Sequence, residues 1–226
     1  MSPTTRNLKA FVFDAYGTLF DVSSIRERCD HFFPGMGAQI AEMWRVKQLE
    51  YSWLGSLMAR YRNFWEITEA ALRFACRALK LALTDEIRSD LMQNYHHLNL
   101  YPEVTKALAA LSERFPLAIL SNGTLDMLQQ ATRNSHIDKY FKDIYSVEDL
   151  AIFKPAPRVY HMAVDALDLP AKEIGFVSSN AWDAAGAKSF GLHVFWINRF
   201  QRPEEELGFP PDHTIQTLDE IVGLMK

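Results

Sequence analysis

The sequence predicts an α/β fold: a doubly wound parallel sheet carrying an inserted helical cap domain. Three observations carry that expectation. An apolar run, Ala10 to Phe13, ends abruptly in Asp14 and is followed by Gly17 and Thr18. From Tyr101 onward, short apolar runs alternate with segments of helical period. Between these parts, residues 23–97 show helical period and no convincing strand. Strand–helix alternation implies parallel strands with helices on both faces, and the middle block then enters as an insert. The expected division is a core of residues 1–19 and 99–226 and a helical cap of residues 20–98.

In order, Asp21 to Ser24 can cap a short helix that turns Ile25 and Cys29 inward, and Phe33-Pro34-Gly35 breaks it. Ile40, Met43, Trp44, Leu49, Trp53, Leu57 and Met58 recur at helical spacing. Asn63 or Thr68 can start the next helix, with Ile67, Leu72, Phe74, Ala75 and Leu79 apolar. Thr84-Asp85-Glu86 opens another, carrying Ile87, Leu91 and Tyr95. In the second half, Val104, Leu108 and Leu111 mark a helix, and Leu117 to Leu120 a buried strand ending in Ser121-Asn122-Gly123. A helix from Leu125 and a short strand at Ile144 follow. Lys154-Pro155 forms a rigid loop, and Pro157 suits the first position of the helix after it. Ile174 to Val177 is a strand, Asp183, Ala187 and Phe190 share a helix, and Val194 to Ile197 is a strand. Ile215 suggests an edge strand, and residues 218–225 a closing helix.

Composition narrows the function. The chain has 226 residues, 48% of them hydrophobic, which suits one α/β core with an insert. The formal charge is -4 with no basic tract, so nucleic acid is an unsuitable partner and any anionic substrate must be captured by a few local cations. Cys29 and Cys76 lack metal-ligand spacing and read as free thiols of a reducing compartment. The polar stretch Met1 to Lys9 does not read as a signal peptide, and no run approaches a membrane span. A cytoplasmic location is expected.

Four loops meet at one edge of the expected sheet. They carry Asp14 and Thr18, Ser121 and Asn122, Lys154, and Ser178, Asn180 and Asp183. Each has a plain structural explanation: Asp14 as a turn residue, Ser121-Asn122-Gly123 as turn chemistry, Lys154 as a solvated lysine, Asp183 as a carboxylate on a helix dipole. Together they offer a nucleophile, a cation, hydroxyl and amide donors and a second carboxylate around one cleft. That set suits covalent carboxylate catalysis.

These motifs resemble the haloacid dehalogenase superfamily, and within it the L-2-haloacid dehalogenases. The residues concerned are Phe13-Asp14-Ala15-Tyr16-Gly17-Thr18-Leu19, Leu120-Ser121-Asn122-Gly123, Phe153-Lys154-Pro155 with Tyr160, and Phe176 through Asp183. Met43-Trp44-Arg45 and the segment Lys47 to Tyr51 are similar to the family's cap. The resemblance implies Asp14 as nucleophile, with Thr18, Arg45, Lys154, Tyr160, Ser178, Asn180 and Asp183 as the other catalytic residues. It implies Tyr16, Leu49, Phe64, Ser121, Asn122 and Trp182 around the substrate, a 2-haloacid substrate with halide as product, and a homodimer. Asp183 is expected to be oriented by Ser178 and Asn180. Tyr160 is expected to support Lys154 or Asp14, or to pack under the loop. Val46 departs from the family pattern, where Gln is frequent, and so removes a polar group expected near the pocket.

The superfamily's phosphatases place a general acid two residues after the nucleophile, where this chain has Tyr16. A departing halide needs no proton. Ser178 and Ser179 open a motif in which phosphatases use acids to hold magnesium, so no metal or other cofactor is expected. The alternatives are a magnesium-dependent phosphatase or phosphonate hydrolase on the same fold, and a non-enzymatic binding module.

Overall fold

The computed structural model describes residues 7–226; residues 1–6, the start of the segment 1–19, lie outside the described residues. The strands in chain order are β1 (Ala10–Phe13), β2 (Phe20–Asp21), β3 (Asn99–Leu100), β4 (Leu117–Ser121), β5 (Asp143–Ser146), β6 (Ile174–Ser178), β7 (His193–Ile197) and β8 (His213–Ile215). Six of them form one sheet in the order β5-β4-β1-β6-β7-β8. Every neighbouring pair is parallel, with Val12 facing Ala118 on one side and Phe176 on the other. β1, β4, β6 and β7 are buried along their whole length, which is why they read as continuous apolar runs. Fully burying side chains such as Phe11, Phe13, Phe176 and Phe195 contributes about 1.5–3 kcal/mol each.

The chain leaves β1 for β4 and β5 on one side, then returns to β6 on the other. The order therefore reverses at β1, and the crevice of such a sheet opens at the carboxyl end of that strand. Asp14 stands there, with its N–H donating to the Val177 carbonyl at 2.9 Å.

Four helices lie between β2 and β3: α1 (Ser23–Phe32), α2 (Gly37–Leu57), α3 (Phe64–Ala78) and α4 (Asp85–Gln93). Asn63 and not Thr68 starts α3, because its side chain accepts from the Glu66 N–H; Thr68 lies within the helix and donates to the Phe64 carbonyl. In α2 the buried row is Ile40, Trp44, Gln48 and Ser52. Leu57 and Met58, read as part of the apolar face, are 82% and 62% exposed. Helical spacing continues there past the point where the helix has anything to pack against.

β2 and β3 pair antiparallel, Phe20 with Leu100 and Asp21 with Asn99, so the two connections between sheet and helical insert run side by side. Arg199, past the end of β7, clamps them. It donates to the Thr18 and Gly17 carbonyls at 3.0 and 3.3 Å, pairs with Glu103 at 2.7 Å and lies 3.7 Å from the Tyr101 ring centroid. The sheet is flanked by α5 (Val104–Ser112), α6 (Leu125–Asn134), α7 (Pro157–Leu167), α8 (Ala181–Phe190) and α9 (Leu218–Leu224). Cys29 and Cys76 are buried and unpaired, and burial pushes their thiols up to about 12 and about 11, away from reactivity. Among the described residues no helix is long and apolar enough to cross a membrane.

Candidate active site

Asp14 is buried, and its two oxygens are held differently. Oδ2 accepts from Asn180 Nδ2 at 2.8 Å and Thr18 Oγ1 at 3.0 Å, with Ser178 Oγ at 3.5 Å. Oδ1 accepts from Lys154 Nζ at 3.2 Å. Gly17, with φ +84°, turns the chain sharply enough to bring Thr18 back onto the carboxylate four residues earlier. Ser179 N–H donates to Thr18 Oγ1 at 2.9 Å, so the β6 end aims that hydroxyl.

Lys154 and Asp183 are both 0% exposed. Lys154 Nζ donates to Asp183 Oδ2 at 2.9 Å as well as to Asp14, so one ammonium serves two carboxylates. Burial works against the lysine's charge, but Asp14 and Asp183 more than offset it and hold the ammonium above its ordinary value. The Phe176 ring, 4.9 Å away, adds a favourable face. Burial raises the Asp183 carboxyl above its ordinary value; the Asp14 charge pushes the same way and Lys154 opposes. Asn122 Oδ1 accepts from the Lys154 N–H at 2.9 Å, tying the loop after β4 to the lysine loop. Ser121, at the end of β4, accepts from the Gly123 N–H at 3.2 Å.

Two orienting contacts differ from the expectation. Ser178 and Asn180 turn their side chains to Asp14, and Asn180 meets Asp183 through the backbone alone, its carbonyl accepting from the Asp183 N–H at 3.0 Å. Asp183 is fixed instead by Lys154 and by Tyr160, whose hydroxyl donates to Oδ1 at 2.8 Å. Tyr160 thus supports neither Lys154 nor Asp14 directly. Gly186 lets it approach, since a Cβ there would lie 2.6 Å from the Tyr160 hydroxyl. The reason is local: Asn180 precedes α8, and its amide lies over the strand-end loop, not along the helix.

The helical insert reaches the same place. Arg45 of α2 is half-buried and donates through Nη2 to Asn180 Oδ1 at 3.1 Å and through Nη1 to Gln48 Oε1 at 2.7 Å. Burial lowers its pKa, while Tyr95, Asp14 and Asp183 act to raise it. Phe64 stacks with Tyr16 at 6.3 Å between centroids and lies 6.1 Å from Phe153; Trp182 meets Trp53 edge-on at 5.4 Å. Leu49 is half-buried on α2. Tyr16 is buried against Asp14 and Tyr95, its phenol pushed far above the ordinary value by burial, so it stays neutral. Val46 is 55% exposed. The polar residue buried beside Arg45 is Gln48, which lies in the cap-like segment Lys47 to Tyr51 but is not among the expected site residues. Its signal was its place in the i, i+4 row of Ile40, Trp44 and Ser52.

Fold and site together define an α/β protein built around a strand-end carboxylate paired to a buried lysine, with a helical insert contributing an arginine. The family model for haloacid dehalogenase-like hydrolases matches residues 8–191. An (S)-2-haloacid dehalogenase of Pseudomonas sp. (strain YL) is 46% identical over 97% of this chain and 95% of its own length. (S)-2-haloacid dehalogenase 2 of Pseudomonas sp. (strain CBS-3) is 44% identical over 97% and 96%. The structure of L-2-haloacid dehalogenase from Xanthobacter autotrophicus with chloropropionic acid covalently bound superposes with a TM-score of 0.91, at 36% identity, over 96% of this chain and 98% of that one. The chain belongs to the haloacid dehalogenase-like hydrolases.

Proposed function

We propose that the protein hydrolyses L-2-haloacids to D-2-hydroxyacids through an ester on Asp14, with inversion at C2 and without a metal ion. The observation that carries the proposal is the asymmetric seating of Asp14: among the described residues one oxygen sits among three neutral donors and the other faces the Lys154 ammonium alone. The relatives named above support the substrate class.

In the first step a lone pair of Asp14 Oδ1, the less encumbered oxygen, attacks C2 from behind the carbon–halogen bond. The C–O bond forms, and the halide leaves with the bonding pair. Tyr16 stands where a phosphatase would hold an acid, and a halide needs none. Arg45 supplies positive charge for the substrate carboxylate or the leaving halide. In the second step water attacks Cγ of Asp14 while Asp183 takes a proton from it. With Asp14 esterified, Lys154 has Asp183 as its remaining anionic partner. Negative charge then develops on Oδ2, where Thr18, Asn180 and Ser178 already point. Collapse breaks the Cγ–Oδ1 bond, the proton returns from Asp183 to the departing alkoxide, and Asp14 retains the water oxygen, whose remaining proton is lost to solvent to restore the carboxylate. C2 is attacked once, so it inverts once.

A magnesium ion does not fit this donor set. Both Asp183 oxygens accept from Lys154 and Tyr160, and Asp14 Oδ2 accepts from neutral donors, leaving an ammonium where a cation would sit. No step above runs through a metal.

The helical insert acts as a cap over Asp14, hinged at the β2–β3 pair and latched by Arg45 on Asn180. The core is then residues 1–19 with 99–226, and the cap residues 20–98. A homodimer accords with the exposed apolar side chains Val46, Leu54 and Leu57 along α2 and Met58 just after it, and a cytoplasmic setting with the two unpaired buried thiols.

The test is halide release from both hands of 2-chloropropionate, with and without chelator. The reading expects turnover of the L-acid alone, indifferent to chelator, and abolished in Asp14→Asn. Magnesium-dependent turnover of a phosphate ester with no halide release would replace it by the phosphatase reading.

A further inference from the structure

We infer that Gln48 is the positioning residue for Arg45, fixing the guanidinium so that its remaining donors face the substrate. The inference rests on the dehalogenase reading and adds a residue which that reading does not use.

The contacts around Gln48 fix which way its amide points. Thr68 Oγ1 donates its single hydrogen to the Phe64 carbonyl at 2.6 Å. The 2.7 Å contact between Thr68 Oγ1 and Gln48 must therefore be supplied by the amide NH2 of Gln48. Tyr95 OH accepts a second hydrogen from the same group at 3.2 Å. The carbonyl end, Oε1, is left facing Arg45 Nη1 at 2.7 Å. A flipped amide would set two donors against each other at Arg45 and strand the Thr68 oxygen. α3 and the segment around Tyr95 thus lock Gln48, and Gln48 locks one end of the guanidinium.

The other end is held across the seam. Arg45 Nη2 donates to Asn180 Oδ1, and Asn180 Nδ2 donates to Asp14 Oδ2. The polar chain therefore runs from Thr68 through Gln48, Arg45 and Asn180 to the nucleophile, with the donor of each link assigned. Arg45 has five N–H groups, and among the described residues two of them are engaged in this way. Burial depresses its pKa, so its charge is poorly solvated. A half-buried cation held by two neutral acceptors, with donors to spare, is arranged to receive an anion. A carboxylate at position 48 would satisfy the arginine outright. A neutral amide orients it and leaves its charge available to the haloacid or the halide.

The experiment is a double-mutant cycle on halide release from L-2-chloropropionate, using Gln48→Met, Arg45→Lys and the double variant, with chloride inhibition measured in parallel. Gln48→Met is expected to lower kcat/KM by about 10- to 100-fold, the effect of one hydrogen bond to a charged group. It is expected to weaken chloride inhibition as well. In the Arg45→Lys background the same change is expected to cost less than about threefold, because Gln48 acts through the guanidinium. Gln48→Glu keeps the volume should the Met variant fold poorly, and is expected to raise KM and weaken chloride inhibition by pairing with Arg45. Losses that multiply across the cycle, or Gln48 variants with wild-type KM and chloride inhibition, would overturn the inference. Absence of halide release from the wild-type protein would instead remove the dehalogenase reading beneath it.

Discussion

Replacing Lys154 by Met tests the electrostatic heart of the site. Lys154 Nζ lies 3.2 Å from Asp14 and 2.9 Å from Asp183, and neither the lysine nor Asp183 is exposed to solvent. At an effective dielectric of about 20, each contact is worth roughly 5 kcal/mol of direct attraction, most of it offset by desolvation. Removing the cation leaves two carboxylates facing each other, and breaking a buried pair in this way costs about 3–5 kcal/mol. For a chain of this size that lowers Tm by about 6–20 °C. The loss is largest above pH 7 and shrinks in acid, where Asp183 takes up a proton and relieves the repulsion. The double variant Lys154→Met with Asp183→Asn removes the unpaired charge and recovers most of the stability without recovering activity. Thermal and denaturant unfolding of the three proteins at pH 5 and pH 8, with halide release, measures this. A Lys154→Met protein within 1 kcal/mol ~ of wild type at pH 8, or one that still releases halide at a comparable rate, would refute the reasoning.

Three further outcomes are expected. In the proposed mechanism activity requires Lys154 charged and Asp183 ionised. Both pKa values are raised, so the acid limb of the pH–rate profile lies above the ordinary carboxylate value of about 4 and the basic limb above about 10.4; a basic limb near neutrality would contradict the assignment. His193 and His213 have pKa values lowered chiefly by burial, so the folded chain resists the protons that the unfolded chain accepts. Stability is then level above about pH 6.5 and declines as the pH falls below it, a decline that His213→Asn reduces in urea titrations. Arg199→Met releases the Thr18 carbonyl and leaves Glu103 unpaired. It should lower stability by about 1.5–3 kcal/mol in unfolding measurements and also lower kcat, because Thr18 carries a hydroxyl onto Asp14.

The strands that build the crevice were legible because each is buried on both faces. Ala10 to Phe13, Leu117 to Leu120, Ile174 to Val177 and Val194 to Ile197 leave no competing periodicity. Asp14, Thr18, Lys154, Asn180 and Asp183 were legible as a set because parallel strands bring their carboxyl ends to one edge, whatever the sequence distance. The less legible features have physical reasons. β2 and β3 are two residues each, too short for any pattern. Leu57 and Met58 keep helical spacing beyond the packed part of α2, and spacing carries no information about what lies opposite. Val46 departs from the family pattern and is 55% exposed. Gln48, two positions on, reads as a surface polar residue and is in fact a buried acceptor. The partners of Asp183 are not legible in the sequence because a hydroxyl near in sequence, Ser178, competes with one far away, Tyr160, and only the fold decides between them.

The central claim is that Asp14 becomes an ester and that water attacks its Cγ, not C2. Hydrolysis of L-2-chloropropionate in oxygen-18 water, with enzyme in excess over substrate, tests it most directly. The account predicts unlabelled D-lactate and one labelled oxygen in the Asp14 carboxylate, read by mass spectrometry of the peptide that contains it. Label in the lactate of that first turnover, with Asp14 unlabelled, would contradict it.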